Sequence, residues 1–484
     1  MEQRFPARLW AALGGDPALP ARVRHVPRGG PAGVLPARLP VRELARSTVA
    51  VCSLAAAELA ARRAGTAVPA VRVDDGAVAT AFTSERHLRI DGRPAGTFAP
   101  LSRFWRTDGG WLRTHANYPH HRARLLAALG VPDRGDDGAL AAAVAGELAG
   151  RRAEDVEELV HAAGGLAVAV RTPGQWAAHP QGAAVAGLPL VGRERLDDAP
   201  PLPLPPLPDG PRVLDLTRVI AGPVATRTLA LLGADVLRID APGLPESADA
   251  HADTGFGKRS ALLDLASRSG RRTFEDLLSA AHVVVTGYRP GALDRFGLAA
   301  EALAERRPGL VVAELNAWGG AGVGPWGGRR GFDSLVQAAS GIAVAEAAGA
   351  EGADEVEGGN PPGVLPAQAL DHGTGYLLAA AVLRALTDQR GDGGTRHVRA
   401  ALARTAHWLL HEAAPSGPPP HAPGSYDPET YDPETYDPGP WLTETGSPLG
   451  RLRHAVSPVE YEGGPTGWAH PPGRPGADEP AWRR

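Results

Sequence analysis

The chain has 484 residues, 43% of them hydrophobic, which is enough for two or three domains and a large buried core. Its net charge of −4, with acidic and basic residues interspersed, excludes the broad positive field of a nucleic-acid-binding or anionic-membrane-binding surface. Cys52 is the single cysteine, which excludes disulfides within the chain and cysteine-based metal clusters.

Residues 1–95 contain one long alanine-rich helix, predicted at 44–63. The start of the chain lacks the apolar core and cleavage site of a signal peptide, and no uninterrupted apolar run is long enough to span a membrane, so we expect a cytoplasmic location. The helix can be aligned with residues 370–390 so that Ala45 stands opposite Asp371. We interpret 1–95 as a degenerate copy of a later half, with chance similarity of alanine-rich sequence as the alternative.

Residues 96–196 are predicted to form a small α/β domain. Two aromatic-rich strands flank a turn at Asp108, Gly109 and Gly110, and helices follow at 121–130, 139–150 and 153–163. The histidines of "HANYPHH" (115–121) indicate a surface loop rather than a metal site, because acidic and cysteine partners are missing nearby. The proline-rich segment 197–211 is predicted to be a linker.

Residues 212–411 alternate between strand and helix patterns. Strands are predicted at 212–216, 234–240, 260–265, 282–287 and 310–315, with a helix at 224–233 after the first of them. Repeated βαβ units predict a parallel sheet covered on both faces, with a ligand site at the carboxyl ends of the strands. A second proline-rich linker is predicted at 412–440, where the tyrosines of the YDPET repeat have no expected binding role, and 441–484 is an unassigned tail.

The helix "ALDHGTGYLLAAAVLRAL" (369–386) begins with an acid and two glycines although the rest of it is apolar. Asp371 can be explained as a helix cap, a role that suits aspartate, or as a carboxylate that takes part in a reaction. His372 is next to it, and because adjacent helical residues point in different directions we expect no direct cooperation between the two. We retain His372 as a minor candidate for lining the site.

Five segments within 212–390 resemble the family III (CaiB/BaiF) CoA-transferases in sequence, order and spacing. They are "RVLDLTRVIAGPVATRTLALLGADVLRIDAPG", "GKRSALLDL", "VVVTGYRPGALDRFGL", "AWGGAGVGPWGGRRGFDSLVQAASG" and "LDHGTGYLLAAAVLRAL". The resemblance implies an α/β fold, with a Rossmann-like parallel-sheet main domain and a smaller α/β domain. Segments of 96–132 and 171–191 resemble the family's small domain, which usually follows the main domain; the order here is therefore permuted or that of fused halves.

The resemblance implies that Asp371 attacks the thioester of an acyl-CoA donor. A carboxylate can form a mixed anhydride, which the CoA thiolate converts to an aspartyl-CoA thioester that is passed to a second acid. Gly373 and Gly375 are expected to let the substrate approach the backbone and to supply amide donors for the oxyanion. Acyl-CoA and a carboxylic acid are then substrates, and we expect no permanently bound cofactor, no metal, no nucleic acid and no membrane.

Coenzyme A carries phosphates and a long neutral arm, so its site needs amides at a helix entry, cations and apolar walls. Val219 and Ile220 lie in the loop before a predicted helix. The candidate cations, in loops at one sheet edge, are Lys258, Arg289, Arg295 and Arg330; Leu263 joins the set through the family's positions. Each arginine taken alone is more often a solvated surface charge, whereas their joint placement in the family's motifs favours the binding role. Ala241 stands where some members have an arginine, which would weaken one phosphate contact.

Two alternatives to transfer remain. Racemases of the same family pair the equivalent aspartate with a histidine, but Phe332 occupies that position here, and a phenyl ring cannot carry a proton. An acyl-CoA racemase or isomerase with another base, and a catalytically silent CoA-binding protein, are therefore the alternatives. The family's architecture is an interlocked homodimer with each site near the partner's small domain; the sequence leaves both a homodimer and a single-chain pseudo-dimer open.

Overall fold

A computed structural model of the protein describes residues 4–27, 34–96, 98–205, 209–347, 361–413 and 436–483. Within this part of the chain the largest sheet has seven strands, of which six are parallel and one edge strand is antiparallel to its neighbour. From edge to edge its strands are Lys258–Leu262, Asp235–Asp240, Arg212–Leu216, Val283–Thr286, Val311–Asn316, Arg396–Ala401 and Gly192–Arg195. The predicted α/β class with a parallel sheet is confirmed.

The sheet is covered on both faces, as its continuous apolar strands predict. Successive residues of a strand point to opposite faces, and Val213 and Val283 belong to one core whereas Leu214 and Val284 belong to the other. The helices of this part of the chain are Ala221–Leu231, Ala248–Thr254, Arg268–Leu278, Ala300–Arg306, Asp333–Ser340, Ile342–Ala345, Ala369–Asp392 and Leu402–His407, with a short 3₁₀ turn Asp294–Phe296 and a π turn Trp408–Glu412.

The helix Ala369–Asp392, here called the Asp371 helix, packs along a second long helix, Val41–Ala64, here called the N-terminal helix. The N-terminal helix connects two strands, Val23–Val26 and Val71–Asp74, which pair in parallel. It is long and apolar enough to cross a membrane, but 89% of its apolar window is buried inside the protein. It is therefore a core helix of this fold. The other helices of this region are Arg4–Ala12, Leu19–Arg22 (3₁₀), Asp75–Phe82 and Ser84–His87.

The small domain has a sheet and a core of its own. Its strands Phe104–Thr107, Gly110–Thr114 and Ala167–Ala169 are antiparallel. Its helices are Pro119–Leu129, Asp137–Ala149, Ala153–Ala162, Pro173–Ala178 and Pro180–Ala186, and the first three begin within two residues of the predicted positions. Trp105, Leu125 and Val144 lie in a core that is separate from both cores of the main sheet.

The C-terminal segment, unassigned from the sequence, completes two sheets. Its strands Leu442–Ser447 and Gly450–Ala455, after the 3₁₀ turn Gly439–Trp441, join Arg89–Ile90 and Arg93–Pro94 in an antiparallel sheet. Further on, Asp478 accepts a hydrogen bond from the backbone of Ser260 at 2.8 Å, on the edge strand of the main sheet.

Parts of both predicted linkers, 206–208 and 414–435, lie outside the described residues. Tyr436, at the end of the repeat, donates its hydroxyl to the carbonyl of Gly76 at 2.6 Å. The expectation that these tyrosines only decorate a linker is therefore wrong for Tyr436. Its contact is with a helix 360 residues earlier in the chain, which local sequence cannot reveal.

A buried ion pair joins the two long helices and provides a test of their packing. Glu58 and Arg384 form it with side chains that are 3% and 6% exposed. Replacing Glu58 with alanine leaves the buried guanidinium of Arg384 with Asp388 as its remaining acidic partner, and we expect a loss of about 2 kcal/mol of stability. The control Arg62→Ala removes the exposed partner of Glu58 and should cost about 0.5 kcal/mol or less. Denaturant unfolding measures both, and equal losses would show that the buried pair does not stabilise the helix packing.

Candidate active site

The first turn of the Asp371 helix is capped by a carboxylate from another helix. Asp333, the first residue of the helix Asp333–Ser340, accepts a hydrogen bond from the backbone N–H of Asp371 at 2.9 Å. Gln337 donates its side-chain amide to the other oxygen of Asp333 and so orients it. The interpretation of Asp371 as the cap of its own helix is therefore wrong, because Asp333 fills that role.

The Asp371 carboxylate is buried beside other negative charges. Burial, then the charges of Asp333 and Glu85, raise the pKa of Asp371 well above its ordinary value. Burial also raises the pKa of Asp333 to about 6, against the hydrogen bonds from the Asp371 backbone and Gln337, which lower it. In the part of the chain that the structure describes, no hydrogen bond or ion pair engages the carboxylate of Asp371. Its side chain is thus left without a structural role.

His372 points toward the N-terminal region. Its ring stacks on Phe82, with centroids 5.4 Å apart, and its Nε2 lies 3.2 Å from Glu85 Oε2. Burial alone would raise the pKa of Glu85, but the hydrogen bond and charge of His372 outweigh it, so that this pKa is lowered. The expectation that His372 does not act directly with Asp371 is consistent with this geometry. Glu85 was not recognised from the sequence, where nothing connects it with residue 372.

The two glycines of the Asp371 helix allow close helix packing. A Cβ on Gly375 would lie 2.6 Å from the carbonyl oxygen of Ala221, and one on Gly373 would lie 3.2 Å from the side chain of Leu44. Both glycines are inside the helix, where their N–H groups bond to carbonyls four residues earlier. The expectation that they supply amides to an oxyanion is therefore wrong.

The small domain docks beside Asp333 through a stack of aromatic rings. His115 lies parallel to Phe332 with centroids 3.7 Å apart, and His121 meets Phe332 edge-on at 5.9 Å. Both histidines are buried, so the prediction of a surface loop is wrong for them. The described residues include no group of three or more side chains arranged to hold a metal ion. The docking partner of these rings is more than 200 residues away in the chain, and the local sequence carries no signal for it.

The loop that contains Val219 and Ile220 has a strained backbone and is fixed by a hydrogen bond to Glu246. Val219 has a φ of +71°, which is unusual for a β-branched residue, and its N–H donates to Glu246 Oε2 at 2.9 Å. Tyr118 of the small domain donates its hydroxyl to the other oxygen of Glu246 at 2.8 Å. Ile220 immediately precedes the helix Ala221–Leu231. Because Glu246 already engages the Val219 amide, a pyrophosphate would have to displace Glu246 to bind this amide.

Lys258 has a different environment from the one expected. Its ammonium is buried and donates to Asp215 Oδ2 at 3.1 Å, to the carbonyl of Pro223 at 2.9 Å and to Thr226 Oγ1 at 2.6 Å. Burial, opposed by the charge of Asp215, lowers the pKa of Lys258 to about 8. All three donors are used inside the protein, so we do not assign Lys258 to coenzyme A. Leu263 is also buried, and its N–H donates to the carbonyl of Asp240 at 3.0 Å.

Arg289 and Arg330 are exposed and near each other. Desolvation, then the positive charges of Arg289 and Arg124, lower the pKa of Arg330. No ion pair engages Arg289 or Arg330 within the described ranges. Arg295 is exposed too and lies over the ring of Phe296 at 4.6 Å. The unpaired guanidinium groups of Arg289 and Arg330 therefore form a local positive surface that suits an anion.

A glutamine of the small domain clamps the glycine-rich loop 317–331. Gln181 donates its side-chain amide to the carbonyls of Trp318 at 2.6 Å and Val323 at 2.9 Å, and it accepts from the N–H of Trp326 at 2.5 Å. These three bonds satisfy backbone groups that a loop rich in glycine cannot pair within itself. Sequence reasoning did not single out Gln181 as an individual residue.

Comparison with known proteins identifies one matching family model, "CoA-transferase family III", at residues 209–437. The chain is 34% identical over 239 residues to the "Probable fatty acyl-CoA transferase Rv3272" of Mycobacterium tuberculosis. This alignment covers 45% of this chain and 58% of that protein. It is 32% identical over 206 residues to a formyl-CoA:oxalate CoA-transferase of Rhodopseudomonas palustris, and this alignment covers 40% of this chain and 46% of that protein. The match thus spans about half the length of these relatives.

Solved structures with similarity include Rv3272 from M. tuberculosis and a CAIB/BAIF family protein from Brucella suis. The first is 35% identical with a TM-score of 0.38, covering 44% of this chain and 57% of that chain. The second is 27% identical with a TM-score of 0.37, covering 43% and 58%.

The clamp by Gln181 predicts a change in local stability. Gln181→Leu removes three hydrogen bonds to the loop 317–331, so trypsin should cleave after Arg329 or Arg330 at least about threefold faster, since local opening governs proteolysis. Peptide mapping of timed digests measures this rate. Gln175→Leu, an exposed position in the same domain, is the control. Equal cleavage rates in the two variants would show that Gln181 does not hold the loop.

Proposed function

We propose that this chain, whose residues 209–437 match the model of CoA-transferase family III, is a member of that family and transfers coenzyme A from an acyl-CoA donor to a carboxylic acid through Asp371. The observation that supports this most directly is the buried carboxylate of Asp371, which has no structural partner in the described protein and is flanked by the charges of Asp333 and Glu85. The similarity to proteins named CoA-transferases agrees with it.

The proposed reaction uses Asp371 as a covalent nucleophile. A carboxylate oxygen attacks the thioester carbon, the carbon–sulfur bond breaks, and the products are a mixed anhydride and the CoA thiolate. The thiolate then attacks the aspartyl carbonyl, which releases the donor acid and leaves an aspartyl-CoA thioester. The acceptor carboxylate repeats the two steps in reverse order, so that the acceptor leaves as its CoA ester and Asp371 is again a carboxylate.

The charges around Asp371 make its ionised form unfavourable, which suits a nucleophile that loses its charge in the reaction. An ionised Asp371 is buried and repelled by Asp333 and Glu85, and acylation removes its charge. The negative charge is therefore relieved as the bond forms. A carboxyl group with a raised pKa is also a stronger nucleophile once its proton has left.

The positive surface of Arg289 and Arg330 is the proposed binding place of coenzyme A, and Arg330 is three residues before Asp333 in the chain. We assign its phosphates to Arg289, Arg330 and Arg295, and its arm to the loop of Val219 and Ile220 and to the wall near Leu263. Acyl-CoA and a carboxylic acid are substrates in this proposal, which includes no permanently bound cofactor or metal. We interpret the main sheet as Rossmann-like.

The small domain that covers the site precedes the main domain in the same chain, which favours fused halves and a single-chain pseudo-dimer over an exchange of small domains between subunits. The stack of His115 on Phe332 supports this interpretation, since both residues belong to one chain. We further propose a cytoplasmic location, in which acyl-CoA esters and free acids are both available.

The second candidate function is racemisation or isomerisation of an acyl-CoA. His115 lies against Phe332, next to the acid pair, and a histidine from the small domain would replace the proton carrier that Phe332 cannot be. Incubation of a 2-methylacyl-CoA with the enzyme in deuterated water distinguishes the two functions. Deuterium at the α-carbon without any transfer of CoA would favour this second function.

The covalent step predicts an adduct on one peptide. With a panel of acyl-CoA donors, the intact protein should gain an adduct that hydroxylamine or borohydride traps on the Asp371 peptide. Asp371→Ala should abolish it and lower transfer at least about 1,000-fold, since removal of a nucleophile is among the largest single losses. Asp392→Ala, at the exposed end of the same helix, is the matched control. An adduct that persists in Asp371→Ala, or CoA binding with no adduct, would reject Asp371 as nucleophile.

The acid pair predicts the direction of a pH effect. Only ionised Asp371 attacks, so log kcat/KM should rise with pH through its raised pKa and then level off. Asp333→Asn keeps an oxygen for the helix cap but removes a negative charge, which lowers the pKa of Asp371. The rising limb should therefore move to lower pH, whereas it should stay in place in Asp392→Asn. A limb that is unmoved or shifted upward by Asp333→Asn would contradict the coupling.

A further inference from the structure

Glu246 connects the strained loop of the main domain to the small domain. Its Oε2 accepts the backbone N–H of Val219 at 2.9 Å, and its Oε1 accepts the hydroxyl of Tyr118 at 2.8 Å. The Glu246 side chain is 3% exposed, and Nη2 of Arg218 lies 3.5 Å from its Oε1. Burial alone would raise the pKa of Glu246, but the charge of Arg218 and the hydrogen bond from Val219 outweigh it, so that this pKa is lowered. An ionised carboxylate therefore accepts hydrogen bonds from both domains.

The position of Tyr118 is fixed by the small domain. It is the N-cap residue of the helix Pro119–Leu129, and its carbonyl accepts the N–H of His121 at 2.9 Å. Its ring lies 6.4 Å from that of Phe332, in the aromatic stack through which the small domain docks. Burial, then the charge of Glu246, raises the pKa of Tyr118, which keeps the hydroxyl protonated as a donor. The hydroxyl therefore reaches Glu246 because the small domain is docked.

Val219 needs a restraint because its backbone conformation is unfavourable. Its φ of +71° lies in the left-handed region, where the Cβ of an L-residue crowds the neighbouring backbone. Such a conformation persists only where the surrounding contacts enforce it, and Glu246 provides one of these contacts. Arg218, the preceding residue, donates to the carbonyls of Leu244 and Pro245 at 2.7 and 2.8 Å. The segment 244–246 thus holds two consecutive residues of the loop.

We propose that Tyr118 and Glu246 are positioning residues for coenzyme A: through them, the docked small domain fixes the conformation of the loop that binds the ligand. This inference rests on the proposed function, in which that loop receives the arm of coenzyme A. While the tyrosine hydroxyl orients Glu246, the carboxylate holds Val219 at positive φ, and the loop is preorganised for its ligand. Without the hydroxyl, the loop relaxes toward the conformations that valine prefers. The fraction of enzyme that is ready to bind then falls, and the apparent affinity falls with it.

Steady-state kinetics of the proposed transfer test this role. Tyr118→Phe keeps the ring and removes the donor, so KM for the acyl-CoA donor should rise about tenfold while kcat changes less than about twofold. The matched control is Tyr461→Phe, because within the described part of the chain the hydroxyl of Tyr461 has no hydrogen-bond partner. A loss in kcat alone, or the same rise in KM in both variants, would overturn the proposal.

A rescue experiment distinguishes positioning through the strained loop from a general loss of structure. Glycine adopts positive φ without strain, so in Val219→Gly the loop needs less restraint from Glu246. In the Val219→Gly background, Tyr118→Phe should therefore raise KM for the donor less than about threefold, compared with about tenfold in the wild-type background. Equal rises in the two backgrounds would show that Tyr118 does not act through the conformation of Val219.

Proteolysis separates this inference from the proposed function, because it needs no coenzyme A. The side chain of Arg218 is 10% exposed and bonded to the segment 244–246, so trypsin cleaves after it only when the loop opens. Tyr118→Phe should speed this cleavage at least about threefold, and Tyr461→Phe should leave it unchanged. Faster cleavage in Tyr118→Phe, together with no transfer of coenzyme A by the wild type, would retain the coupling of the two domains and reject the transferase. An unchanged cleavage rate in Tyr118→Phe would overturn the coupling.

Discussion

The hydrogen bond from the Asp371 backbone to Asp333 is the constraint on which the site depends. The first turn of a helix has unpaired N–H groups and a positive end of the helix dipole, and here a carboxylate from a different helix satisfies them. This arrangement fixes two acids next to each other in a buried place. It also means that the carboxylate of Asp371, a residue of that first turn, is not used to cap the helix. Burial raises the pKa of both acids, and the charges of Asp333 and Glu85 raise that of Asp371 further, whereas the hydrogen bond itself lowers the pKa of Asp333.

Two units of the chain share an arrangement of a long helix that leads into a strand and then a short helix. In the first, the N-terminal helix joins the parallel strands Val23–Val26 and Val71–Asp74, and the short helix Asp75–Phe82 follows. In the second, the Asp371 helix leads into Arg396–Ala401 and Leu402–His407, but the helices Asp333–Ser340 and Ile342–Ala345 stand between it and the parallel strand Val311–Asn316. The two units differ at the position of Asp371. Ala45 stands opposite Asp371, and the next residue, Arg46, pairs with Asp75. The first unit thus has no acid at this position, while Glu85, three residues beyond its short helix, raises the pKa of Asp371.

Local patterns predicted the elements of the main sheet well. The runs of Val, Leu and Ile that form strands are short, apolar and bounded by turns, so a strand such as Arg212–Leu216 was predicted at its observed bounds. What failed depends on partners distant in the chain. Lys258 has the sequence context of a loop cation, but Asp215 and Thr226 take up its donors in the core. The glycines of the Asp371 helix face other helices, and the histidines of the small domain face Phe332. Neither contact can be predicted from the neighbouring sequence.

The distribution of charge bears on when each substrate binds in the proposed reaction. The charges that raise the pKa of Asp371 are those of Asp333 from the main domain and Glu85 from the N-terminal region, and both are negative. An anionic acceptor that enters the free enzyme meets the acid pair in its most repulsive state. Once Asp371 carries coenzyme A as a thioester its charge is gone, and the acceptor is opposed by Asp333 and Glu85 alone. The electrostatics therefore favour binding of the acceptor to the covalent intermediate, which is the order that an aspartyl-CoA mechanism requires.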